Sequence, residues 1–112
     1  MPRKADAYLI EDQDNPGRYL VRPSCAVIPH GKAMTFRIRN MTDHDDFWVK
    51  MPAKYWTEGD EPRQIPAAHG KALDLNLQDQ EMSFRYEVFV DGKFSDKAKG
   101  ESDPVIIIDP PL

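Results

Sequence analysis

The chain has 112 residues, enough for one domain (1–112) around a single core and too few for a second. A net charge of −4 with a pI near 5.3 sets it against nucleic-acid partners, because phosphate binding asks for a basic face. One cysteine, Cys25, rules out an intrachain disulfide and suits a reducing compartment. No stretch approaches the ~20 apolar residues of a membrane span, and the first residues lack the apolar core of a signal peptide. The chain therefore reads as cytoplasmic, with no membrane partner.

In chain order, the first expected strands are 7–10, 18–22 and 26–28, and "DNPG" (14–17) supplies the turn between the first two. Cys25, ahead of Ala26-Val27-Ile28, reads as a buried structural thiol. "HGK" (30–32) is a second turn. "AMTFRIRN" (33–40) alternates cleanly, with Met34, Phe36 and Ile38 facing inward and Thr35, Arg37 and Arg39 outward. The acidic segment "TDHDD" leads into a short strand at 47–51.

Residues 52–70 show neither helical nor strand period, and a single helical turn fits only 53–57. Alternation returns in "KALDLNL" (71–77), with Leu73, Leu75 and Leu77 on one face. A helix would scatter these leucines around its axis. The longest alternating run is "MSFRYEVFV" (82–90). Met82, Phe84, Tyr86, Val88 and Val90 face one way; Ser83, Arg85, Glu87 and Phe89 face the other. "DGK" (91–93) is a tight-turn signal. The nearby Lys93, Lys97 and Lys99 read as a solvated loop. "PVIIIDPP" closes the set with a strand at 105–108, apolar at successive positions and stopped by Pro110-Pro111. Ten prolines weigh against long helices. These features predict an all-β fold: an antiparallel two-sheet sandwich of seven to eight strands.

Asn40 closing a strand, His44 in a short polar turn, and then "FWVKM" resembles the central part of cupredoxin-like sandwiches. There a histidine opens the strand as the first copper ligand. "FRYEVFVDG", a loop and "SDPVIIID" are similar to the last two strands of that fold. The resemblance covers residues 33–109, and an immunoglobulin-like sandwich stays open beside it. The copper site it implies is not carried over. A type 1 site needs two histidines and a cysteine thiolate, usually with an axial methionine. The cysteine belongs at the end of the penultimate strand, where Val88, Phe89 and Val90 stand. The loop that follows has no Cys, His or Met. No cofactor is expected.

A different metal site would combine His44 with Asp43, Asp45 and Asp46, since hard cations take carboxylates and zinc takes histidine with carboxylate. The four are nearly contiguous, and one turn rarely aims four neighbours at a single point, so a solvated acidic turn is favoured. No nucleophile elbow, zinc-protease motif or phosphate loop is present. His30, His44 and His69 all lie in expected turns or loops. The chain reads as non-catalytic.

Trp48, Tyr55, Trp56, Phe89 and Phe94 fall in loops or on outward strand faces. Clustered, they would form an apolar partner patch or a sugar-stacking platform. The alternative is that they cover sheet edges and the ends of the core. The leading expectation is a binding or protein-interaction module, with a protein partner or a second copy docking at an edge strand.

Overall fold

Alternating sequence becomes strand throughout the computed structural model, which describes residues 5–28, 35–52, 61–77, 83–90 and 104–108. Ten strands appear among these residues, and no helix. They are β1 (Ala7–Glu11), β2 (Tyr19–Arg22), β3 (Cys25–Ile28), β4 (Thr35–Asn40), β5 (Phe47–Lys50), β6 (Arg63–Ile65), β7 (Ala72–Asn76), β8 (Ser83–Arg85), β9 (Glu87–Phe89) and β10 (Val105–Ile108). Three sheets result, in the orders β2-β1-β4-β7, β3-β10-β8 and β6-β5-β9. The radius of gyration is 13.4 Å, that of a compact chain of this length.

The ten strands among the described residues exceed the expected seven or eight, and are two more than the eight runs read from the sequence. The run 82–90 is divided at Tyr86. Arg85 pairs with Val105 of β10, whereas Glu87 pairs with Lys50 of β5. Between them the Tyr86 amide donates to the Pro104 carbonyl at 3.1 Å. The strand passes from one sheet to the next without losing its inward phase, so hydrophobic alternation cannot reveal the break. β6 lies in the stretch without period; three residues, two of them polar, are too short to alternate.

The all-antiparallel expectation is also corrected. β1 runs parallel to β4, with Ala7 opposite Ile38, and β3 parallel to β10, with Cys25 opposite Val105. Side-chain alternation is the same in both pairing senses, so a strand's period says nothing of its neighbour's direction.

The inward sets hold where they are described. Phe36, Ile38, Leu75, Val88 and Ile106 are fully buried, and one apolar cluster draws on all three sheets. Leu73 is partly buried against that cluster. Phe36 meets Tyr86 edge to face at 5.2 Å between ring centres. Cys25 departs from expectation. β3 turns Ala26 and Ile28 inward, which leaves Cys25 and Val27 outward, and the thiol is exposed.

The expected turn at 14–17 is present as the β1–β2 hairpin. Its closing bond runs from the Asp12 amide to the Arg18 carbonyl at 2.8 Å, and Gly17 takes the φ of 91° that glycine accepts without cost. The Asp12 carboxylate caps the turn by accepting from the Asp14 amide and the Asn15 side chain. The Asn15 bond, with the Asp14 amide second, holds that carboxyl below its ordinary pKa. The expected turns at 30–32 and 91–93, the helical turn at 53–57, and Met34, Met82, His30, Lys93, Lys97 and Lys99 lie outside the described residues. Among the described residues no helix is long and apolar enough to cross a membrane.

Candidate functional site at the Asn40 turn

Asn40 is in phase with Phe36 and Ile38, so the pleat of β4 carries its amide into the core, where it is 0% exposed. A buried primary amide has two N–H donors and an oxygen that accepts twice, and each unmet valence is costly. All are met here. Asn40 Nδ2 donates to the His44 carbonyl at 2.9 Å and to the Ala67 carbonyl at 2.7 Å. Asn40 Oδ1 accepts from the Thr42 amide at 2.9 Å and from the Thr42 hydroxyl at 2.6 Å. The Asn40 backbone is equally engaged: its amide donates to Lys71 O, and its carbonyl accepts from Gly70 N. One side chain thus ties the 41–46 turn to the segment between β6 and β7.

Thr42, 3% exposed, extends the knot. Its hydroxyl accepts from the His44 amide at 3.2 Å. Its carbonyl lies 3.1 Å from His69 Nδ1, and a carbonyl can only accept. His69 therefore carries its proton on Nδ1, leaving Nε2 as the ring's lone-pair nitrogen when neutral. His69 is exposed and His44 half-buried. The two histidines, remote in sequence, are anchored to opposite ends of one threonine.

The His44 ring is held from the other side by β2. Tyr19 Oη lies 2.9 Å from His44 Nε2, and the rings meet edge to face at 5.3 Å. The nitrogen best placed to bind a metal is thus engaged with a phenol. The aspartates do not converge on it: Asp43 and Asp45 are exposed, and Asp46 accepts from Gln64 Nε2 across β5 and β6. Among the described residues no three His, Cys, Asp or Glu side chains gather as a metal cage requires.

Cys25 and His44 do not fit together in one type 1 copper centre. Cys25 is level with Val105, which pairs with Arg85 at the start of the 83–90 run. His44 precedes Phe47, and the β5–β9 register places Phe47 level with Val90 at the other end. Five residues of strand separate those levels, about 16 Å, whereas a thiolate and an imidazole on one metal lie within a few ångströms.

Of the aromatic residues, Trp48 and Phe89 are direct cross-strand partners on the face of their sheet away from Val49 and Val88. Trp48 is half-buried. Phe89, expected to face outward, is only 3% exposed, so it offers no docking surface. Tyr55, Trp56 and Phe94 lie outside the described residues.

Sequence reasoning singled out His44 and placed Asn40 only as a strand end, and it missed Tyr19, Thr42 and Ala67. One signal was available: Asn40 and Thr42 continue the inward phase of Phe36 and Ile38, and a polar residue on a buried face must bring its own partners. Tyr19 and Ala67 are joined to the turn only by folding, and nothing local marks them. No known protein-family model matches the chain, and no characterised protein is recognisably similar to it in sequence.

Proposed function

We propose that the chain is a small, non-catalytic β-sandwich module that binds a protein partner or a second copy of itself, working in the cytoplasm and holding no type 1 copper. The observation that carries this reading is the fate of His44. The one residue standing where a cupredoxin places a copper ligand is occupied by Tyr19, in a turn fastened by Asn40. A position that serves metal chemistry in that fold serves stability here.

The sheet order supports the sandwich. β8 and β9 are almost continuous, so the two three-stranded sheets read as one layer, β3-β10-β8/β9-β5-β6, opposed across the core to β2-β1-β4-β7. The parallel pairs favour a cupredoxin-like over an immunoglobulin-like arrangement, whose two sheets are antiparallel. The edge strand β3 supports the interaction reading. Its sequence, Cys-Ala-Val-Ile, carries no charge, and Val27 is 52% exposed. Such edges pair readily with another strand.

Sedimentation velocity over a wide concentration range, with crosslinked affinity capture, tests this for the native protein and for Val27→Lys. The module reading expects self-association or a captured partner that the edge lysine abolishes. A chain that stays monomeric and captures nothing contradicts it.

A further inference from the structure

The outer face of the β2-β1-β4 sheet, away from the core, carries a pattern that the Asn40 knot does not use. Strand phase lays it out in rows. Ala7, Leu9 and Val21 face the core, so Tyr8, Ile10, Leu20 and Arg22 face outward. Arg22 stands opposite Tyr8, and Leu20 opposite Ile10. The Met41 amide donates to the Leu9 carbonyl, which carries Met41 past the end of β4 to the level of Ile10. Leu20 is buried yet lies outside the core cluster, as its outward phase requires. Ile10, Leu20 and Met41 thus form an apolar row beside the row that holds Arg22.

A cavity of about 540 Å³ lies over the apolar row, lined by Ile10, Leu20, Met41, Arg22 and the hairpin residues 11–13. That volume is within the range of small-ligand sites, about 300–1,000 Å³. Its floor is apolar, and Met41 is 39% exposed, one of the two large apolar side chains exposed among the described residues. Its charge is one-sided. Glu11 shares the phase of Ala7 and Leu9 and pairs with Tyr19, so its carboxylate leaves from the opposite face of the sheet. The Asp12 carboxylate is spent on its own turn, and the nearby Arg18 offsets its charge. Arg22 is exposed, and among the described residues its guanidinium has neither an ion pair nor a hydrogen bond. Arg39, level with Tyr8 on the other side, already donates to the Gly70 carbonyl. One uncommitted cation therefore stands beside an apolar floor.

We infer that this cavity binds a small amphipathic carboxylate, its head on the Arg22 guanidinium and a short hydrocarbon tail on Ile10, Leu20 and Met41. A guanidinium presents a planar fork of donors that matches a carboxylate. An ammonium on the same tail would be repelled by Arg22. Register sets the tail length. The apolar row lies two residues from Arg22 along β2, about 7 Å of strand, and the polar row of Asp12 and Arg18 begins about 7 Å farther on. A tail of a few carbons ends over the apolar row, whereas a long acyl chain would overrun onto Asp12 and Gln13. The site is separate from the protein-docking edge at β3, and its test does not depend on that reading.

The probe is hexanoate, added to the whole ¹⁵N-labelled chain at constant ionic strength and followed by amide shifts, with 1-hexanol and hexylammonium as its neutral and cationic counterparts. Saturable hexanoate shifts at residues 8–13, 20–22 and 41 are expected at roughly millimolar concentration, as suits a small ligand in an open site. Hexanol should bind about twofold to fivefold more weakly, the worth of one exposed ion pair, and hexylammonium more weakly still. Arg22→Gln should bring hexanoate down to the affinity of hexanol and leave hexanol itself unchanged. Met41→Ser should weaken both alike. Unchanged melting and an otherwise native spectrum show that the variants fold. Equal affinity for hexanoate and hexanol, an unchanged hexanoate affinity in Arg22→Gln, shifts elsewhere, or no saturable shift with hexanoate overturns the inference.

Discussion

Asn40 and Tyr86 are both polar side chains sealed in the same core, at 0% and 1% exposure, and they are treated in opposite ways. The Asn40 amide makes four hydrogen bonds and joins two loops. The Tyr86 hydroxyl, packed edge to face on Phe36 four residues before Asn40 on β4, has no hydrogen-bond partner. Burial alone therefore does not say what a polar group is for. Asn40 is held for its polar atoms, which supply partners to backbone groups that no ladder reaches. Tyr86 is held for its ring, which fills the core where the chain changes sheet, and its hydroxyl rides along at a cost.

The contrast fixes an order of effects. Asn40→Leu keeps the branched shape, with somewhat more bulk, but strips partners from the His44 and Ala67 carbonyls and from the Thr42 amide and hydroxyl. With about 1–3 kcal/mol for each buried group left unpaired, the loss should reach about 3–5 kcal/mol in urea unfolding. A loss below about 1 kcal/mol would show that the knot is dispensable. Thr42→Val removes only the hydroxyl's two bonds and should cost about 1–2 kcal/mol. Tyr19→Phe, which frees His44 Nε2 in a half-buried setting, should cost about 0.5–1.5 kcal/mol by the same measurement.

Tyr86→Phe should have the smallest effect at neutral pH: no loss, or a gain of up to about 1 kcal/mol, because an unpaired hydroxyl leaves the core. Its signature appears in alkali. Burial first, then the charges of Asp6 and Cys25, pushes the Tyr86 phenol well above its ordinary value of 10.0. The unfolded chain then loses this proton first as pH rises, so native stability falls above about pH 10. The phenylalanine variant lacks that term, so unfolding curves in this range should show it gaining on the parent. Parallel curves would mean that the phenol is not shielded.

Much of the fold was legible because β-strands announce themselves by period two. Phe36 and Ile38, Leu75 and Leu77, Phe84 and Val88 all bury as the alternation requires. What escaped was relational. The switch at Tyr86 leaves the period intact while every neighbour changes. The parallel partners of β1 and β3 arrive from far along the chain. Cys25 looked buried because its neighbours are apolar, but its phase on β3 points out. The site was half legible for the same reason. Asn40 and His44 are contiguous enough to read, whereas Tyr19 from β2, Ala67 and His69 join them only after three segments fold together. Phe89 shows the limit of phase itself: it lies on the face away from the core, as its position requires, and is covered nonetheless.

The central claim is that His44 is a structural partner of Tyr19 and not a metal ligand. Nitrogen-15 spectra of the imidazole rings, recorded while equimolar Zn²⁺ and then Cu⁺ are added, test it directly. The claim predicts that His44 Nε2 keeps its metal-free chemical shift in the native protein. A coordination shift at His44 Nε2 with either ion, accompanied by loss of the Tyr19 hydrogen bond, would contradict it.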